Sequence, residues 1–308
     1  MKCLFVTLVL SASVLAPSGV NAGAADPKAA AVLAEARKAI GGDANLAAVR
    51  TLTVAGRQSR TMGAMQMSGD FEIAMVLPDK YLKTQVDNTP MGVTLTRESG
   101  FSGDQPLIHN SSGHGGGNVR IIMGTPGVRP GETPTPEQQV QIDAQMLRAQ
   151  RQDFARLVLA WLAVAPAGMP LEFVHAGEAE SPDGRADVID VKGHDSFTAK
   201  LFVDKKTRLP LMVAYRAVEP RMRTMTASGA AGNADQTARE TAEQMQAPPM
   251  SDIQLFFSDH RKVDGLTLPF KVSKSVDGKP TEEWDVEKIK VNPVIKPDTF
   301  TRKKSAGR

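Results

Sequence analysis

The feature that most constrains this chain is a period-two pattern of apolar residues over residues 251–300. Two Asp-Gly pairs, Asp264-Gly265 and Asp277-Gly278, interrupt the pattern. Alternation places every second side chain on one face of a strand, and Asp-Gly between two such runs is a strong signal for a tight hairpin turn. The sequence therefore predicts an antiparallel meander. The alternating apolar residues are Ile253, Leu255, Phe257, Leu266, Leu268, Phe270, Val272, Trp284 and Val286.

The alternation changes phase near the end of this meander. Ile289 and Val291 are one residue out of step with Trp284 and Val286. One extra residue in a strand is a β-bulge, which bends the strand and increases its twist. We therefore expect a curved sheet, and a curved sheet can enclose a ligand.

The N-terminus has the organisation of a secretory signal peptide. Lys2 gives a positive start, an uncharged apolar run covers residues 4–16, and Ala22 ends a small-residue site suited to cleavage. This order of features is typical of an exported chain, so residues 1–22 are predicted to be removed. The run is short for a transmembrane helix, and we expect no transmembrane anchor in the mature chain.

Cysteine and charge exclude several classes of function. Cys3 is the only cysteine, and it lies within the predicted signal peptide. The mature chain would therefore have no disulfide, no thiolate metal ligand and no cysteine nucleophile. Loss of Lys2 lowers the formal charge from +3 to +2. A nucleic-acid-binding protein usually has a larger basic excess, so we expect no nucleic acid partner.

Residues 23–300 are predicted to form a single domain. A short helical region over residues 26–48 precedes a first meander of alternating strands. A glycine- and proline-rich loop is expected over residues 100–135, followed by a helix over residues 136–164 whose second half is apolar on nearly all sides. Further strands follow, interrupted by a low-complexity insertion over residues 219–250, and residues 301–308 form a basic tail.

Familiar catalytic and metal-binding motifs are missing from the sequence. It lacks the P-loop ending, the Gly-x-Ser-x-Gly elbow of hydrolases and the His-Glu-x-x-His motif of zinc peptidases. His109 and His114 lie in a glycine-rich stretch without further ligands nearby, which argues against a metal site. We expect no metal, no cofactor and no enzymatic activity. Polar groups predicted to face solvent are the pairs Glu282-Glu283 and Glu178/Glu180, together with His175, His194 and His260.

Three segments resemble the outer-membrane lipoprotein carriers, the LolA/LolB-like family. They are Met75 to Tyr81 with its Leu-Pro turn, Leu201 to Leu211 with the pattern Asp-x-x-Thr-x-Leu-Pro, and Val291-Asn292-Pro293 followed by Asp298-Thr299-Phe300. Each motif is short, but their order and spacing extend the resemblance over most of residues 30–300.

The resemblance implies an open half-barrel: a mainly β fold with a strongly curved antiparallel sheet covered by helices. In the carriers, the apolar space between sheet and helices holds acyl chains. The helix over residues 136–164 would cover that space here. Leu77 stands where the family has an arginine that ties down the covering helix, and the insertion over residues 219–250 is a second departure. A relative with another ligand fits these differences.

The sequence thus predicts a periplasmic protein that binds or carries a hydrophobic ligand, such as a lipid or a lipoprotein acyl chain. Envelope proteins or lipoproteins are the expected protein partners. One alternative is a periplasmic interaction or envelope-sensor module without a small ligand. Another is an enzyme, which would need polar residues that converge in the pocket. The residues predicted to line the ligand space are Phe71, Ile73, Met75, Leu201, Val203, Val213, Phe257, Phe270 and Trp284 from strands, with Phe154, Val158 and Trp161 from the covering helix.

Deletion of residues 221–249 tests the assignment of that segment as an insertion. We expect the shortened protein to fold with nearly unchanged thermal stability, because the strands on both sides can pair through a shorter connection. Thermal unfolding followed by circular dichroism measures this. A collapse of the melting temperature would show that the segment belongs to the folded core.

Overall fold

The computed structural model describes residues 26–62, 65–90, 92–112, 134–181, 184–218 and 250–301. The predicted signal peptide, most of the predicted insertion and nearly all of the predicted basic tail lie outside the described residues. So do His114 and the second part of the predicted loop.

Twelve strands and three α-helices make up the described fold. The helices are α1 (Pro27–Ile40), α2 (Asp43–Ala48) and α3 (Pro136–Leu162), and a short 3-10 helix covers Pro297–Phe300. The first five strands are β1 (Thr51–Met62), β2 (Met65–Val76), β3 (Lys80–Asn88), β4 (Thr94–Ser102) and β5 (Gln105–Ser112). The others are β6 (Leu171–Ser181), β7 (Gly184–Gly193), β8 (Thr198–Asp204), β9 (Pro210–Val218), β10 (Met250–Val263), β11 (Leu266–Val276) and β12 (Lys279–Val291).

All twelve strands belong to one antiparallel sheet that does not close. Their order is β5-β4-β3-β2-β1-β12-β11-β10-β9-β8-β7-β6. The sheet is thus two meanders joined in the middle where β1 pairs with β12. The edge strands are β5 and β6, and α3 is the segment that carries the chain from one edge to the other. The predicted fold class, mainly β with an open antiparallel sheet, is confirmed.

The contacts of α3 show how strongly the sheet curves. The Phe154 ring lies 5.9 Å from the Tyr81 ring on β3, and the Arg156 guanidinium carbon lies 3.7 Å from the centre of the Tyr215 ring on β9. Phe154 and Arg156 are separated by only about 3 Å along a helix axis. Six strand intervals separate β3 from β9, which is roughly 29 Å in a flat sheet. The sheet therefore wraps around α3, which lies on its concave side.

Local sequence explains where the strands turn and bend. Asp264 and Gly265 both have positive φ, as do Asp277 and Gly278, which a type I′ hairpin turn requires. The pairing of β1 with β12 shifts by one residue between Ala55 and Gly56. This is the bulge that the change of phase in β12 predicts, and it contributes to the bend of the sheet.

The covering helix begins and ends at recognisable caps. The Thr135 hydroxyl accepts a hydrogen bond from the Gln138 backbone N–H, and the Gln138 side chain accepts one from the Thr135 backbone N–H. This capping box satisfies two backbone donors that the helix itself leaves unpaired. Ala163 ends the helix in the left-handed conformation. The second half of α3, from Phe154 to Leu162, is buried throughout.

The convex side carries a smaller apolar cluster. The ring of Phe300 packs there with Ala74, Leu82 and Leu107. The C-terminal segment that closes the sequence pattern therefore crosses to the outer face of the sheet, where Phe300 covers apolar residues of β2, β3 and β5.

One sequence prediction about this region is wrong. The loop expected over residues 100–135 contains the end of β4 and all of β5, which pairs with β4 from Ser102↔Gln105 to Leu95↔Ser112. The strand has few apolar residues because it is an edge strand and has only one strand neighbour. Because β5 is mostly polar, it lacks the alternation of apolar and polar residues by which a strand is predicted.

A substitution of Gly69 tests how closely β2 and β3 approach each other. A Cβ atom at Gly69 would lie 1.7 Å from the carbonyl oxygen of Val86 on β3. We expect Gly69→Ala to lower the free energy of unfolding by about 2 kcal/mol or more, because β2 and β3 must separate. Ser68→Ala, at the neighbouring exposed position, is the control and should change stability little. Urea denaturation measures both, and equal stability of the two variants would contradict the prediction.

Candidate functional site

The twelve residues predicted to line a ligand space lie in one apolar cluster. All twelve are buried, and the cluster joins strands from both meanders to α1 and α3. The structure therefore brings together every residue that the sequence selected. That they contact a ligand stays a prediction.

The buried half of α3 occupies the centre of this apolar cluster. Phe154 packs against Tyr81 on β3 and, edge to face, against Phe101 on β4, with ring centres 5.9 and 5.4 Å apart. The indole N–H of Trp161 is buried without a hydrogen-bond acceptor. This places one unused polar donor among the apolar residues of the concave side.

Arg156 is a charged residue inside the same helix segment, and it is 3 % exposed. Its guanidinium stacks on Tyr215, and it donates a hydrogen bond of 2.8 Å to Asp153, whose side chain is half exposed. The aliphatic part of the side chain thus lies in the core while its charge is paired near the surface. Arg156 serves packing between α3 and β9.

Polar contacts at the two rims of the sheet hold the same helix. Arg151 donates a hydrogen bond of 2.7 Å to Asp104 in the β4–β5 turn. On the other side, Gln152 donates one of 3.1 Å to the carbonyl oxygen of Asp195 in the β7–β8 connection. A cleft of about 160 Å³ lies between β5 and the first half of α3, lined in part by Ile108 and Ile142. These rim contacts are exposed, and exposed ion pairs contribute little to stability.

A second feature of the concave face is a buried group of polar residues, here called the polar cluster. Strand alternation places them in phase with core residues such as Val54, Tyr81 and Phe257, at the other end of the strands from the buried half of α3. The members of the polar cluster are Gln58, Arg60, Lys83, Gln85, Asp87, Arg97, Lys274 and Glu282.

Glu282 is the centre of the polar cluster. Its Oε1 atom lies 2.6 Å from Trp284 Nε1, 3.2 Å from Gln85 Nε2, 3.3 Å from Lys83 Nζ and 3.5 Å from an Arg60 guanidinium nitrogen. Four donors thus converge on one carboxylate oxygen. The Lys83 ammonium also lies 3.9 Å from the centre of the Trp284 ring.

Hydrogen bonds continue from this centre to a second carboxylate. Gln85 Nε2 donates to Gln58 Oε1 at 2.7 Å, and Gln58 Nε2 donates to Asp87 Oδ1 at 2.6 Å. Arg60 lies between the two acids, 3.7 Å from Asp87 and 3.5 Å from Glu282. The network therefore engages both acids as hydrogen-bond acceptors.

Burial and neighbouring charges shift the pKa values of two residues of the polar cluster, Glu282 and Lys83. Burial disfavours the charged form of Glu282, but Lys83, Arg60 and Lys274 together hold its pKa well below the ordinary value. Burial lowers the pKa of Lys83 to about 8, although Glu282 opposes this shift. The neighbouring cations thus favour the anionic form of Glu282, whereas burial is the main reason that the charged form of Lys83 is disfavoured.

The structure corrects three predictions about polar residues, and one of them concerns His260, which is half-buried with its Nε2 atom away from solvent. Glu282 is buried rather than solvent-facing, whereas its neighbour Glu283 points outward and pairs with Lys271. His175 is also buried, because it is in phase with Phe173 on the concave side of β6. Its ring lies 3.2 Å from Asp187, and its backbone N–H donates to Asp26 at the start of α1.

Neither a metal site nor a membrane span is found in the described part of the chain. There, no three His, Cys, Asp or Glu residues are placed so that they could hold a metal ion. Within the same ranges, no helix is long and apolar enough to cross a membrane.

The fold is an open antiparallel sheet with a helix on its concave side, and several solved structures resemble it. No family model matches the sequence, and no curated protein sequence matches it. A LolA superfamily protein from Nitrosomonas europaea shares 10% sequence identity with this chain and has a TM-score of 0.44. The match covers 89% of this chain and 97% of the Nitrosomonas europaea protein.

Two further structures give similar values. A DUF1329 family protein from Desulfovibrio piger shares 11% identity over 90% of this chain and 98% of its own, with a TM-score of 0.43. An outer membrane lipoprotein-sorting protein domain from Vibrio parahaemolyticus shares 9% identity and also has a TM-score of 0.43. The match covers 89% of this chain and 96% of that domain. These structures are what the chain resembles, at low identity and low TM-scores, and the functional argument below rests on the residues of this chain.

Sequence reasoning missed the polar cluster, although a signal for it was present. Gln58 and Arg60 continue the same alternation as Leu52 and Val54, and Gln85 continues that of Tyr81. A polar residue in phase with buried apolar ones marks a buried polar position. The apolar pattern by itself predicted only the residues at the other end of the strands, beside α3.

Replacement of Glu282 tests the polar cluster. We expect Glu282→Gln to lower the free energy of unfolding by about 3 to 5 kcal/mol, because Lys83 and Arg60 would lose a buried counter-charge. Glu283→Gln is a matched control on the outer face and should cost less than about 1 kcal/mol. Chemical denaturation at neutral pH measures both variants. Similar values for the two would show that Glu282 is not the centre of a buried network.

Proposed function

We propose that this protein is exported to the periplasm and binds a hydrophobic ligand, a lipid or a lipoprotein acyl chain, between the concave face of the sheet and α3. The observation that supports this most is the position of the segment Phe154–Leu162. It is apolar nearly all round, lies inside the curve of the sheet and touches strands of both meanders. The N-terminal signal-peptide pattern supports the compartment.

A ligand bound between the sheet and α3 would replace contacts that now hold α3 against the strands. Burial of an acyl chain is favourable by about 0.8 kcal/mol for each methylene group, so a long chain can replace the contacts of one helix segment. The rim contacts of Arg151 and Gln152 are exposed and weak by comparison. A movement of α3 away from β4 and β5 would widen the cleft already present beside Ile108 and Ile142.

The polar cluster favours binding over catalysis. Its two acids, Asp87 and Glu282, accept hydrogen bonds from side chains of the cluster, and the low pKa of Glu282 does not suit proton donation near neutral pH. The cluster contains no histidine and no hydroxyl nucleophile. Its chemistry is therefore that of ion pairing and hydrogen bonding.

Release of one rim contact tests the proposed function. We expect Arg151→Ala to take up a fluorescent fatty acid faster than the wild type, because the variant loses the hydrogen bonds to Asp104 and to the Gly103 carbonyl oxygen and the contact with the Phe101 ring. Arg37→Ala is a matched control, since it removes a pair with Asp43 of the same 2.7 Å length between α1 and α2. Stopped-flow fluorescence measures the uptake of the mature protein and both variants.

The ligand itself is sought by native mass spectrometry of protein purified from the periplasm. A co-purified lipid would identify the natural guest. Failure of all three folded proteins to bind the fluorescent fatty acid, together with a ligand-free mass, would overturn the proposal. The interaction or sensor module would then be the better account.

A further inference from the structure

The charges of the polar cluster do not balance. Apart from Lys274, its described members are three cations, Arg60, Lys83 and Arg97, and two carboxylates, Asp87 and Glu282. Lys83 and Glu282 are largely buried, with side chains 13% and 10% exposed. Uncompensated charge away from water is costly, so an excess of positive charge here favours an anion.

Two guanidinium groups in the cluster have unused hydrogen-bond donors. The Nε atoms of Arg60 and Arg97 are both buried without an acceptor. The two ion pairs of Arg60 are long, at 3.5 and 3.7 Å, so neither acid binds it closely. Arg97 is half-buried and lies beside Gln85 in the strand register. A planar guanidinium with free donors is suited to oxyanions.

The polar cluster is continuous with the apolar cluster. Trp284 joins them, since its indole N–H donates to Glu282 while its ring lies 5.3 Å from that of Phe71. A ligand with an apolar chain and a charged end could therefore contact both at once. The two regions share the concave face of the sheet.

We propose that the polar cluster binds a phosphate group, either as the head group of a lipid or as the free anion. A phosphate carries up to two negative charges and several acceptor oxygens, which match the charge excess and the unused donors of the arginines. In the lipid case the inference rests on the proposed function and specifies its ligand as an anionic phospholipid-like amphiphile. In the free-anion case it stands alone.

The first experiment compares three probes on the mature wild-type protein by titration calorimetry. The probes are dodecyl phosphate, dodecanol and inorganic phosphate. We expect dodecyl phosphate to bind about tenfold more tightly than dodecanol or better, as a charge-assisted hydrogen bond to arginine predicts. Equal affinities for dodecyl phosphate and dodecanol would overturn the phosphate site. Binding of dodecanol would still leave the proposed hydrophobic function intact.

The inorganic probe separates the two sources of phosphate. Weak binding of inorganic phosphate beside tight binding of dodecyl phosphate would assign the site to a lipid head group. Inorganic phosphate that binds as tightly as dodecyl phosphate would assign it to the free anion. Failure of dodecanol to bind in that case would count against the hydrophobic function only.

Variants locate the site. Arg97→Met and Lys274→Met each remove a half-buried cation and should reduce the preference for phosphate about tenfold. Arg57→Met on β1 and Lys271→Met on β11 are matched controls, since both side chains lie on the outer face of the sheet. A phosphate preference that survives in both inner variants would overturn the assignment to the polar cluster. Thermal unfolding verifies that each variant is folded.

Discussion

The packing of one helix segment inside the sheet is the interaction on which the remaining structure depends. Phe154–Leu162 fills the concave side and touches strands that are six intervals apart in the sheet order. A sheet of twelve strands that does not close must bury one face against something, because an open apolar face would be exposed to water. Here α3 provides that cover, and the same contacts set the curvature of the sheet. Any ligand on this face must share or replace them.

The concave face is divided between two kinds of chemistry. One end is apolar and packs against α3, and the other end carries a buried network centred on Glu282. Buried ion pairs contribute less to stability than their short distances suggest, because both charges lose their hydration. In the proposed phosphate site the network would serve binding, and its cations lie beside the apolar cluster, as an anionic amphiphile would need.

Much of the fold could be predicted because its signals are local. The Asp-Gly turns at residues 264–265 and 277–278, the bulge in β12 and the cap of α3 at Thr135 depend on neighbours along the chain. Strand β5 was not predicted because its signal is not local. Its stability comes from hydrogen bonds to β4, which the polar sequence of an edge strand does not reveal. The apolar set was selected correctly as buried, since hydrophobic period and burial are directly linked.

The sequence by itself determined the period of each strand, the turns, the helix caps and the set of residues that avoid water, because these follow from backbone preference and side-chain polarity over short distances. Only the tertiary structure decided which polar residues meet. Gln58, Lys83 and Glu282 come from three strands, and Glu282 lies more than two hundred residues from Gln58 in the chain. Pairing of β1 with β12 and β2, and of β2 with β3, brings them onto one face. The alternation of Glu282 with Trp284 and Val286 indicates that Glu282 rather than Glu283 faces inward. Only the register of the assembled sheet brings Glu282 to Lys83 and Gln85.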